Sequence, residues 1–137
     1  NRDAVRDAIA NAKRNEISNI YFHCADAGLL MMEMAQSGEK ADVVLMDPPR
    51  AGSDEAFLSS VVTLSPEKVV YISCNPKTQE RDLSFLTTHG YRVRRIQPVD
   101  MFPHTNHVET VVLLSKREVE SKNIRVEPYL EDMDISE

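Results

Sequence analysis

An apolar run rich in β-branched residues, Val69-Val70-Tyr71-Ile72, stops abruptly at Ser73-Cys74-Asn75-Pro76, and an amphipathic segment begins at once. That order predicts a buried strand, a tight turn and a helix start. Asn75 is a good N-cap and Pro76 suits the first helical position. Cys74 then sits at the carboxyl end of a strand, against the positive end of a helix dipole, which favours a thiolate over a thiol. In an open α/β sheet the carboxyl ends of the strands are also where ligands bind. The same local context equally suits a small buried core thiol.

The rest of the chain repeats this alternation. Residues 3–14 carry Ala4, Val5, Ala8, Ile9 and Ala12 at helical spacing. Residues 20–24 read as a short strand, and Leu29 to Gln36 as a Met-rich helix closed by Ser37-Gly38, its methionines used for packing. Ala41 to Met46 is apolar without alternation, as for a strand covered on both faces. A helix with Ser53 as its cap follows to Thr63, then the opening stretch, then a helix from Pro76 to His89 stopped by Gly90. Tyr91 to Val99 holds three arginines, too charged for a central strand, and residues 107–115 form a last, strongly apolar strand. Alternating strands and helices predict an α/β fold: a mostly parallel sheet with helices on both faces and an antiparallel C-terminal hairpin at one side. One domain is expected over residues 1–116. An acidic tail, 117–137, shows weak apolar periodicity and is expected to be partly disordered or the start of an extension.

Charge narrows the choice of partners. The net charge is −6 over 137 residues, which excludes a generally basic nucleic-acid-binding surface but leaves room for a local patch. No apolar run approaches a membrane span, no signal-peptide pattern is present, and two cysteines without a secretory signal fit a cytoplasmic, reduced setting. Because the chain opens at Asn1 inside a helical pattern, it is expected to be part of something longer.

Three residues fall at predicted strand ends: Asp26, Asp47 and Cys74. With parallel strands all three emerge along one carboxyl edge. A lone Asp at such a place is more often a turn former or helix cap; three on one edge point to a site. A fourth feature is Glu109, which interrupts the apolar run of the last strand and shares a face with His107, Val111 and Leu113. A partly desolvated carboxylate there suits proton removal. His104, His107, Glu109 and Cys74 are all zinc-ligand types, but their spacing fits no common zinc pattern, so no metal is expected. A thiolate with a carboxylate base leaves two chemistries open. One is a Cys-dependent hydrolase using His104 or His107. The other is conjugate addition to an electron-poor ring carbon.

Asp47-Pro48-Pro49-Arg50-Ala51-Gly52, Ser73-Cys74-Asn75-Pro76 and Asp100-Met101-Phe102-Pro103-His104-Thr105 leading to His107-Val108-Glu109 together resemble the RNA 5-methyluridine methyltransferases. These S-adenosylmethionine-dependent enzymes act on uridines of ribosomal or transfer RNA. The resemblance implies that Cys74 attacks carbon 6 of uracil, that carbon 5 takes the methyl group, and that Glu109 removes the carbon 5 proton. It places Asp26 on the adenine side and Asp47 near the methionine moiety of the cofactor. Arg50, His104 and Thr105 would face RNA, with Lys77, Arg81 and the Arg92–Arg95 cluster as further contacts, and the target base must leave its stack.

The resemblance also implies what this stretch lacks: the first two strands of a Rossmann-like methyltransferase fold, with the Gly-rich turn and the acidic residue that grip the cofactor. The four glycines, Gly28, Gly38, Gly52 and Gly90, make no such turn. The chain is therefore expected to be the C-terminal half of the catalytic domain, inactive alone and completed by the missing N-terminal half. The orphaned strand at 20–24 would pair with the strand at 43–46 or with a second copy. The runner-up reading is a non-catalytic RNA- or protein-binding module on the same fold.

Overall fold

The computed structural model describes residues 1–118. The elements are α1 (Arg2–Arg14), α2 (Ala27–Gln36), β1 (Val43–Met46), α3 (Glu55–Leu64), β2 (Lys68–Ser73), α4 (Pro76–Thr88), β3 (Tyr91–Val99) and β4 (Glu109–Lys116). Local chemistry explains their ends. Asn1, Asp26, Asp54 and Asn75 cap the four helices with their side chains, satisfying amide groups that have no partner inside the helix. The cap of α3 is Asp54, whose Oδ1 accepts from the Phe57 amide at 2.7 Å, rather than the expected Ser53. Ser53 is held elsewhere, its amide donating to Asp82.

The four strands lie in the order β1-β2-β4-β3. β1 and β2 are parallel, while β4 is antiparallel to both β2 and β3. Three strands thus run one way, and β4 returns between two of them. The C-terminal hairpin is antiparallel and lies at one side, as expected. Its second strand, not its first, is the one that docks on β2. The reason is composition: β4 buries Thr110, Val112 and Leu114, whereas only Tyr91 of β3 is buried. The arginine-rich strand takes the edge, and a register shift between Val93 and Arg95 bulges it there, both features that discourage pairing with another chain.

The core lies on one face of the sheet. Met46, Val69, Tyr71, Val112 and Leu114 meet Leu58 and Val61 of α3 and Leu86 of α4. Right-handed crossovers that progress in one direction along a sheet put their helices on the same side, so helices do not cover both faces here. Two strand expectations change accordingly. Residues 20–24 form no strand and pair with nothing; Ile20 and Tyr21 are exposed. A strand needs a partner ladder, and the segment has none among the described residues. The unpaired edge is β1's instead. Its Met46 is buried while Leu45 is 71% exposed, so the strand is covered on one face only. The methionine helix is half-buried, with Met31 packed against the core. Residues 119–137, most of the acidic tail, lie outside the described residues. Among the described residues no helix is long and apolar enough to cross a membrane.

Candidate active site

Cys74 occupies the single residue between the end of β2 and the N-cap of α4, half-buried and as a free thiol. The turn around it is tied on both sides. The Asn75 amide donates to Ser73 Oγ at 3.0 Å, and Asn75 Oδ1 accepts from the Lys77 amide at 3.2 Å. The expected strand–turn–helix is present, with Pro76 in the first turn.

Strand register then brings a carboxylate to the same end of the sheet as Cys74. β2 and β4 are paired up to Ser73 opposite Thr110. Cys74 is the residue that follows this last pair on one strand and Glu109 the residue that precedes it on the other, so both flank the same end of the β2–β4 ladder. Glu109 is half-buried, and its Oε2 is buried with no hydrogen-bond partner among the described residues. A buried carboxylate oxygen left without a donor is free to accept a proton.

Asp47 follows β1, and because β1 and β2 are parallel it leaves the sheet at the same edge as Cys74. Its loop is fastened to the Cys74 turn: the Arg50 carbonyl accepts from Asn75 Nδ2 at 2.9 Å and from Thr78 Oγ1 at 3.0 Å. Asp26 reaches the neighbourhood by another route, as the cap of α2, its Oδ1 accepting from the Leu29 amide at 3.0 Å. Asp26 and Asp47 line one open cavity of about 530 Å³, together with Met31, Met46, Phe57, Gly52 and Ser53. Ser53 Oγ is buried without a partner among the described residues. Two carboxylates, an orphaned hydroxyl and apolar walls fit a ligand with a flat apolar group, hydroxyls and a positive charge.

The loop after β3 lies at this same edge, since β3 runs parallel to β2. Thr105 Oγ1 is spent within it, donating to the Phe102 carbonyl at 2.7 Å and accepting from the His107 amide. His104 is held at a positive φ of 63°, and the His107 ring meets Phe102 edge-on. Among the described residues no hydrogen bond polarises either imidazole, which a hydrolase base would need. The basic residues scatter. Arg81 is bound up with Asp82 and loop carbonyls. Arg92, seven residues before Val99, is roughly 23 Å along the strand from this edge. Arg50 is exposed beside the site.

Two residues of the site's support escaped the sequence reading. Gln79 and Asp82 are buried polar residues on the inner side of α4. Their spacing from buried Leu86, at intervals of three and four, is the signal that could have placed them on the core-facing stripe.

The tRNA (uracil-5-)-methyltransferase family model matches residues 2–117. The chain belongs to that family. A Bacillus cereus protein described as an uncharacterised RNA methyltransferase is 46% identical over 116 residues, covering 85% of this chain and 25% of the relative. A Staphylococcus epidermidis protein of the same description is 46% identical over 117 residues, with the same coverage. Among solved structures, the Pyrococcus abyssi tRNA (uracil-54, C5)-methyltransferase in complex with S-adenosyl-L-homocysteine superimposes with a TM-score of 0.70 at 36% identity, covering 83% of this chain and 26% of that one. An rRNA methylase from Streptococcus thermophilus shares the fold, with a TM-score of 0.64 at 8% identity. This family chain therefore spans about a quarter of the length of the curated relatives it matches.

Proposed function

We propose that this chain is the part of an RNA (uracil-5-)-methyltransferase that carries its nucleophile and base, and that the whole protein methylates carbon 5 of a uridine in transfer or ribosomal RNA. The observation that supports the reading is that Cys74 and Glu109 flank the last paired position of β2 and β4, at the sheet edge where Asp47 also emerges. Cys74 Sγ adds to carbon 6 of the extruded uracil, and the displaced electron pair makes carbon 5 nucleophilic. S-adenosylmethionine would supply the electrophilic methyl group, its sulfonium bond breaking to leave S-adenosylhomocysteine as carbon 5 takes the methyl. The orphaned Glu109 oxygen then accepts the carbon 5 proton, the carbon 5–carbon 6 double bond re-forms, and the bond to sulfur breaks to return the thiolate. Asp26, Asp47 and Ser53 would hold the cofactor, with Asp47 compensating its positive charge. The chain forms one wall of that pocket, which accords with its being inactive alone and needing the remainder of the enzyme.

The test is 5-fluorouridine RNA, in which fluorine at carbon 5 cannot leave as a proton does. The intact protein carrying this chain is expected to stall as a covalent RNA adduct with cofactor present, and Cys74→Ala is expected to form none. A binding module or a hydrolase would form no adduct in either case.

A further inference from the structure

Helix α4 buries two polar side chains where a core-facing helix would ordinarily place apolar ones. Gln79 is 2% exposed and Asp82 is fully buried. They lie three residues apart, so they share a face. Each holds a different pair of segments together.

Gln79 Nε2 donates to the carbonyl of Tyr71 and to the carbonyl of Thr110, both at 3.1 Å. Those carbonyls belong to β2 and β4, just inside the Cys74 and Glu109 positions. One carboxamide thus bridges the strand that leads into Cys74 and the strand that begins at Glu109. Asp82 reaches the other way. Its Oδ2 accepts from the Tyr71 hydroxyl at 2.6 Å and from the Ser53 amide at 2.7 Å. Its Oδ1 accepts from both Nε and Nη2 of Arg81, and that Nη2 goes on to the carbonyls of Ala51 and Ser53. The Asp47–Ser53 loop is therefore fastened to α4 by a buried carboxylate and its cation, while Asn75 and Thr78 hold the Arg50 carbonyl. Burial and the adjoining carboxylate keep the Tyr71 hydroxyl protonated well above the ordinary tyrosine range, so it remains a donor toward Asp82. A hydrophobic pair would fill the same volume, and burying charge is a poor route to stability. What a polar pair adds is direction: each bond fixes one loop or strand end at one position.

We propose that Gln79 and Asp82 are positioning residues that align the three site-bearing segments, the Asp47 loop, the Cys74 turn and the Glu109 strand end, from a single helix face. The proposal rests on the assignment of Cys74 and Glu109 given above.

The test compares Gln79→Met, which keeps length but loses the donor, and Asp82→Asn with the parent in the intact protein. Circular dichroism sets a temperature at which each is folded. The maximal rate of adduct formation with 5-fluorouridine RNA is then measured together with the RNA concentration giving half that rate. Alignment predicts a maximal rate lower by at least ten-fold, with half-saturation within two-fold; a residue serving stability alone leaves the rate of the folded protein unchanged, which would overturn the proposal. If Asp82→Asn does not fold, Tyr71→Phe removes one donor from the same carboxylate and is expected to slow the reaction at least three-fold. Should the parent protein form no adduct, the uridine reading fails. The clamp is then read from amide exchange in the 137-residue chain. Asp82→Asn must speed exchange of the Ser53 amide at least ten-fold while α3 keeps its protection, and unchanged exchange would overturn it.

Discussion

Gly52→Ala tests the packing of the loop clamp without touching any of its hydrogen-bonding groups. Gly52 has a φ of +78°, and a Cβ built there would lie 2.6 Å from Arg81 Nη2, 2.7 Å from Asp82 Oδ2 and 3.1 Å from Thr78 Cβ. Two costs follow. A left-handed conformation costs an L-residue about 1–2 kcal/mol. The clash must also be relieved. Arg81 could swing its exposed end away, losing charge-assisted bonds to two carbonyls and loosening its hold on the buried Asp82, or Asp82 itself must shift. A bond of that kind contributes about 1.5–3 kcal/mol. The expected destabilisation is about 3–5 kcal/mol, a large part of the 5–15 kcal/mol typical of a domain. Gly38 is the control, because it has the same φ of +78° with nothing within 4 Å of its would-be Cβ. Gly38→Ala therefore carries the backbone cost alone. In urea melts of this chain, with a slope of about 1–3 kcal/mol/M, the Gly52→Ala midpoint should fall by about 2 M and that of Gly38→Ala by well under half as much. Equal shifts for the two variants would refute the reasoning, since they would mean that the Arg81–Asp82 pair yields to a methyl group at no cost.

Tyr71 and Tyr91 are both buried, and burial raises the pKa of each above the ordinary tyrosine value, with the Asp82 carboxylate adding to the effect at Tyr71. A raised folded-state value means that the unfolded chain ionises first. Stability is therefore intact below about pH 10 and lost above it, each tyrosine contributing a slope approaching 1.4 kcal/mol per pH unit. In alkaline melts Tyr71→Phe should be less stable than the parent at pH 8, yet lose stability less steeply between pH 10 and 12; parallel curves would contradict this. Glu109→Gln removes the proton acceptor but leaves the nucleophile. The intact protein bearing it should accumulate a covalent complex with ordinary uridine RNA, seen as a retarded band on a denaturing gel, and free turnover by that variant would exclude Glu109 as the base. Arg92→Ala/Arg94→Ala, far along β3 from the site edge, should reduce the salt dependence of RNA affinity by about two counterions while leaving the maximal methylation rate alone. An unchanged salt slope would make these arginines guards of the sheet edge and nothing more.

Much of the site was legible because its parts are local signals. Asn75-Pro76 after an apolar run specifies a helix start wherever it occurs, and so fixes Cys74 at a strand end. Asp47 before two prolines marks the end of β1 in the same way. Local signals do not decide where neighbours compete. Ser53 and Asp54 are both good caps, and the buried Asp82 decides between them by taking the Ser53 amide for itself. At residues 20–24 the composition suits a strand, but a ladder requires a partner that no local pattern supplies. Gln79 and Asp82 look like solvated positions until Leu86 is seen on the same stripe.

The sequence by itself determined the order of the helices and of the four strands that form, the capped start of α4 and the placing of Cys74 and Asp47 at strand ends, because these depend on backbone geometry within a few residues. Only the tertiary structure decided that β4 returns between β2 and β3, that Glu109 lies at the same end of the sheet as Cys74, and that one face of α4 fastens the surrounding loop and strands. Those depend on which apolar faces bury one another across tens of residues, and on buried polar groups finding partners that chain proximity does not provide.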